Sequence, residues 1–139
     1  MQKYKGKKTK GFTLIEVIVA ISIVVILSTL AVPRVSGYLS KAKEAKAMSI
    51  GKQIYNAAMW SYSDKGSVFD ISSITNTLDE TADVTLATTN PIVIADSGKS
   101  VKIDYVNDGK NYELSISSNT NTYTITNTVA DKIIFSSTQ

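Results

Sequence analysis

The sequence predicts an α+β protein: a long N-terminal α-helix, apolar in its first half, packed through its second half on a C-terminal antiparallel β-meander. Three observations predict it. From Phe12 to Val32 the only charged residue is Glu16. After Pro33 the apolar residues recur at helical spacing as far as Tyr62. Beyond Pro91 the pattern changes to strict alternation, broken by short turns.

The apolar run is rich in β-branched residues, from Val17 through Leu27, which would favour strands in water. In hydrocarbon only a helix satisfies its own backbone within one segment, and about 20 apolar residues suffice to cross a bilayer. The run is therefore read as a membrane-spanning helix. Glu16 sits at its mouth as an ionised group that costs several kcal/mol in lipid unless it is paired. No basic residue nearby in the run can pair with it. Pro33 removes one helical hydrogen bond and crowds the preceding turn, so a kink is expected there rather than a stop.

The helix is expected to resume as far as Tyr62 and to end at Asp64-Lys65-Gly66. Val35, Leu39 and Ala42 share one face. Ile50, Ile54, Ala57 and Ala58 form one apolar stripe, and Tyr55, Met59 and Tyr62 form a second. Two stripes are more than one small sheet is expected to cover. Residues 72–78 read as a short helix within a Ser/Thr/Asn/Asp-rich stretch. Val101, Ile103 and Tyr105 alternate with polar residues, and Asp108-Gly109 is a two-residue hairpin signal. Tyr112, Leu114 and Ile116 form the return strand, and a turn follows at residues 119–121. Tyr123 and Ile125 alternate again, and Ile133-Ile134-Phe135 makes the last strand. A meander of this kind has one apolar face, which the second half of the helix is expected to cover.

Composition excludes much chemistry. Among 139 residues there is no cysteine and no histidine, which rules out disulfides, thiolate nucleophiles, ordinary zinc sites and His-based triads. There is no glycine-rich phosphate loop. Asp104 with Asn107-Asp108-Gly109 offers too few oxygens for calcium, and turn chemistry accounts for those residues. No enzyme, cofactor or metal is expected. The net charge of +3 is unevenly placed: without Lys3, Lys5, Lys7, Lys8 and Lys10 the remainder carries ten basic and twelve acidic groups, a net of −2. The basic head obeys the positive-inside pattern, which keeps the N-terminus in the cytoplasm. Lys41, Lys43, Lys46 and Lys52 read as a solvated helix face, and no specific nucleic acid partner is expected. Trp60, with Tyr55, Met59 and Tyr62, is expected to pack against the sheet or a neighbouring subunit rather than hold a ligand.

Lys10-Gly11-Phe12-Thr13-Leu14-Ile15-Glu16, the apolar helix and Pro33 together resemble the class III signal of type IV pilins and related pseudopilins. The likeness is close over the N-terminal third, and the helix-plus-meander outline is similar over the rest. It implies four segments: a leader peptide at 1–11, a transmembrane or filament-core helix at 12–33, an amphipathic continuation at 34–66 and a globular head at 67–139. It implies cleavage between Gly11 and Phe12 by a prepilin peptidase, followed by N-methylation of Phe12. Glu16 would then neutralise the new Phe12 amine, within one chain in the membrane or between chains in a filament. Thr13 would hydrogen-bond near the new terminus, and Pro33 would mark where the preceding backbone can lose helical order. The implied product is the subunit of a helical homopolymer, displayed on the cell surface for adhesion or motility. An assembly ATPase, a platform protein and minor pilins are the implied further partners. The lack of cysteine is similar to Gram-positive pilins. Two alternatives stand beside it: a pseudopilin or minor pilin of a competence or type II secretion system, and a secreted or anchored adhesin domain that does not polymerise. For the adhesin, residues 17–27 would be the apolar region of an ordinary signal peptide cut near Thr29-Leu30-Ala31, or a permanent anchor. Glu16 would serve no purpose in a discarded peptide.

Overall fold

A computed structural model describes residues 11–81 and 83–137. The leader lysines, at positions 3–10, lie outside them. The chain divides into two compact units, one ending at Leu39 and one beginning at Ser40. The elements are α1 (Leu14–Asp64), α2 (Ile71–Thr81) and six strands: β1 (Thr85–Leu86), β2 (Ile92–Ala95), β3 (Ser100–Asn107), β4 (Lys110–Ser117), β5 (Thr122–Asn127) and β6 (Lys132–Ser137). The fold is thus α+β, a long N-terminal helix followed by an antiparallel sheet, as in type IV pilins.

In the first unit the helix exposes its apolar side chains all round: Leu14, Val17, Ile21, Val24 and Leu27 are each at least 48% accessible. The hydroxyls within the apolar run turn back on the backbone. Ser22 Oγ donates to the Ile18 carbonyl, Ser28 Oγ to Val24 and Thr29 Oγ1 to Ile26, each at 2.7 Å. That leaves no hydroxyl hydrogen unpaired in an apolar medium. Among the described residues this is the one helix long and apolar enough to cross a membrane. The helical conformation continues through Pro33, so the proline does not end it.

In the second unit, β3 to β6 form the expected meander in register. Asp108 and Gly109 both take positive φ, 53° and 72°, as a tight turn matched to strand twist requires. The first two strands had no separate signal in the sequence. Both lie antiparallel along the same edge of β3: Leu86 opposes Tyr105, and Ile92 opposes Ile103. They read as one edge strand interrupted by the segment 87–91, which contains Pro91. Such an interruption blunts an edge against pairing with another chain. At the opposite edge the register slips between Ile125 and Thr126. This bulge turns both Ile134 and Phe135 towards the core, where strict alternation would have turned one away.

One core joins α1 from Ala47 onward, α2 and the inner face of the sheet. The buried residues of the helix are Ala47, Gly51, Ile54, Ala57, Ala58 and Ser61: Ile54, Ala57 and Ala58 of the expected stripe are among them, Ile50 is half-buried, and Ala47, Gly51 and Ser61 extend the row. Small residues let the helix approach closely: a Cβ on Gly51 would lie 2.6 Å from Ile125 Cδ1 and 2.9 Å from Tyr105 Oη. The second stripe is also covered within this unit. Tyr55 stacks on Tyr123 with ring centroids 4.1 Å apart, and Tyr62 meets Phe69 at 4.6 Å. Phe69 adds cover to that stripe, and Ile74 and Leu78 of α2 add to the core; α2 starts at the Asp70 cap, where Oδ1 accepts from Ser73 N–H at 2.8 Å. Trp60 is the exception. It is 74% exposed and does not pack on the sheet.

Polar ties lock the helix to β3. Tyr105 Oη donates to the Ala47 carbonyl at 2.8 Å and Asn107 Nδ2 to the Lys43 carbonyl at 3.3 Å. Lys43 pairs with Asp108 at 2.5 Å and Glu44 with Lys132 at 3.1 Å. Burial drives the Tyr105 phenol far above its ordinary pKa, so it remains a donor across the physiological range. Of the four lysines read as solvated, Lys43 is therefore ion-paired, and Lys52 lies 5.1 Å from the centre of the Phe135 ring.

Candidate processing and assembly site

The helix starts where the motif places its polar residues. Gly11, Phe12 and Thr13 precede α1 in non-helical conformation. Nothing lies within 4 Å of where a Gly11 Cβ would be, and Phe12 is 89% exposed. Among the described residues nothing covers the Gly11-Phe12 bond.

Thr13 is the N-cap of α1. Its carbonyl accepts the first helical bond, from Val17 N–H at 3.4 Å, and its Oγ1 accepts from Glu16 N–H at 3.3 Å. Glu16 reaches back in return: its Oε2 accepts from Thr13 N–H at 2.7 Å and from Thr13 Oγ1–H at 2.8 Å. The reciprocal pair is a capping box, in which each side chain satisfies a backbone donor that the first helical turn would leave bare. The carboxylate also sits at the positive end of the helix dipole. Both side-chain bonds end on Oε2. Among the described residues no hydrogen bond reaches Oε1, so one oxygen stays free for a further donor.

The structure thus brings Thr13 and Glu16 together, with Gly11 and Phe12 beside them in sequence. Pro33 lies seventeen residues beyond Glu16, about 26 Å along a helix, and contributes nothing at this end. The capping role of Thr13 was legible as Thr-x-x-Glu ahead of an apolar run, but a reading centred on the charge of Glu16 passes over it.

Residues 6–32 match the family model of the prokaryotic N-terminal methylation motif. No curated protein and no solved structure matches the chain. The motif is the class III signal peptide of type IV pilins, and with the long apolar helix it supports a precursor of the type IV pilin or pseudopilin type.

Proposed function

We propose that this chain is the precursor of a type IV pilus subunit. It enters the membrane with its lysine-rich head in the cytoplasm, is cut after Gly11 and is methylated on the Phe12 amine. It then polymerises through α1 into a surface filament. The observation that carries this is a capped, single-carboxylate entrance to a helix whose apolar surface nothing in the first unit covers. Lipid and the core of a helix bundle are similarly apolar, so leaving the membrane for a filament need not expose that surface to water. Cleavage creates a cation at Phe12. The free Oε1 of Glu16 is the natural acceptor for that amine from an incoming copy, and the penalty on an unpaired buried charge would then set the axial register.

Mass spectrometry of the mature protein tests the processing. A methylated Phe12 terminus supports the proposal, a terminus near Val32 would indicate a secreted domain, and an intact leader would indicate an anchor. Electron microscopy tests the assembly. Long filaments composed mainly of this chain support the major-subunit role, and their absence despite correct processing would assign a pseudopilin or minor-pilin role instead.

A further inference from the structure

A groove of about 500 Å³ runs along the second unit between the outer faces of α1 and α2. Gln53, Asn56, Ala57 and Trp60 line one wall at successive helical turns, and Thr77, Glu80 and Thr81 line the other. Its size falls within the usual range for small-ligand sites, about 300–1,000 Å³. The small, buried Ala57 gives it depth, and Trp60 presents an uncovered indole.

The polar groups around that indole are available. Among the described residues, Gln53, Asn56 and Glu80 have no hydrogen-bond or ion-pair partner. Thr77 and Thr81 donate their hydroxyl hydrogens to the Ser73 and Thr77 carbonyls, so only their oxygen lone pairs face outward. The groove therefore offers three sets of acceptors, at Glu80, Thr77 and Thr81, two primary amides that donate and accept, and one flat apolar plate. A complementary ligand carries many O–H donors around a ring with an apolar C–H face. A carboxylate at the rim disfavours an anion.

We propose that this groove binds a neutral saccharide, with a pyranose face on Trp60 and its hydroxyls on Asn56, Gln53 and Glu80. The site lies wholly in the second unit and does not depend on polymerisation.

Trp60 is the sole tryptophan of the chain, so tryptophan emission, excited selectively over that of the seven tyrosines, reports on this groove alone. The full chain, solubilised in a detergent without a sugar headgroup, is titrated with methyl β-galactopyranoside and with N-acetylglucosamine. The expected result is a saturable change in emission with at least one of the two, at a Kd on the order of 1 mM for so open a site. N-acetylneuraminic acid should bind at least tenfold more weakly than the better of the two. Glu80→Ala and Asn56→Ala should each weaken binding at least threefold with unchanged circular dichroism. Trp60→Ala should abolish saturation-transfer NMR signals from the sugar, while Trp60→Phe retains part of them. No saturable change with either neutral sugar would overturn the proposal. So would equal binding by the Glu80 and Asn56 variants. A blue shift seen only on polymerisation, with no response to sugar, would assign the groove to a second copy of the chain instead.

Discussion

Replacing Gly51 with alanine tests the close seat of the helix on the sheet. In an exposed helix this change stabilises by about 1 kcal/mol, because glycine has more backbone freedom to lose on folding. Here the added methyl would lie 2.6 Å from Ile125 Cδ1, 3.1 Å from Ile125 Cγ1 and 2.9 Å from Tyr105 Oη. Ordinary carbon contacts are about 3.5–4.0 Å, so the neighbours must retreat by close to 1 Å. Both Ile125 and Tyr105 are fully buried, and moving Tyr105 lengthens its bond to the Ala47 carbonyl. Overpacking costs about 1–3 kcal/mol and a weakened buried hydrogen bond up to about 1 kcal/mol more. The net expectation is destabilisation by up to about 3 kcal/mol. At about 4–8 °C per kcal/mol for a domain of this size, thermal unfolding of the detergent-solubilised chain, followed by near-ultraviolet circular dichroism, should show a clear fall in Tm. Ile125→Val removes the nearest atom at its own cost of about 1 kcal/mol, and in that background Gly51→Ala should cost at least about 1 kcal/mol less. A Tm that rises with Gly51→Ala alone would refute the close approach.

Four further outcomes follow from the structure. Glu16→Gln keeps a side chain able to complete the capping box but removes the charge, so cleavage should proceed while filament yield by electron microscopy falls at least tenfold; normal filaments would show that the cap alone is what matters. Glu16→Ala loses both features and should assemble no better. Gly11→Leu should block processing, and mature protein beginning at Phe12 in that variant would place the recognition elsewhere. Burial first, and Glu113 across the strand second, raise the Asp104 carboxyl above its usual pKa, with Lys102 opposing. A group whose folded pKa is raised disfavours the folded state where it is ionised, and the penalty fades as pH falls through that pKa. Asp104→Asn should therefore raise Tm at pH 7 and lose its advantage towards about pH 4; equal gains at both pH values would contradict this.

Much of the fold was legible because its signals are local. A charge-poor run, a 3.6-residue period and a two-residue Asp-Gly turn each act within a few residues, and they marked α1, the β3–β4 hairpin and the meander. The first two strands escaped notice because they pair as fragments along one edge, and a four-residue fragment beside a proline carries little periodicity. The buried row of α1 was only partly legible for a related reason. Apolar pattern weights large side chains, whereas Ala47, Gly51 and Ser61 are buried because they are small.

At the N-terminus the sequence alone carried the signal motif: a lone carboxylate at the mouth of an apolar helix stands out, and the residue order is itself the signal. It also contained the capping box, since Thr13 and Glu16 are one helical turn apart and need no distant partner. What only the tertiary structure decided lies in the second unit. Which helix face meets the sheet, where Lys43 and Glu44 find their partners and why Trp60 is left uncovered all depend on residues tens of positions apart. Those choices are set by how closely backbones can approach and by which surfaces remain after the core is filled, and no local pattern encodes either.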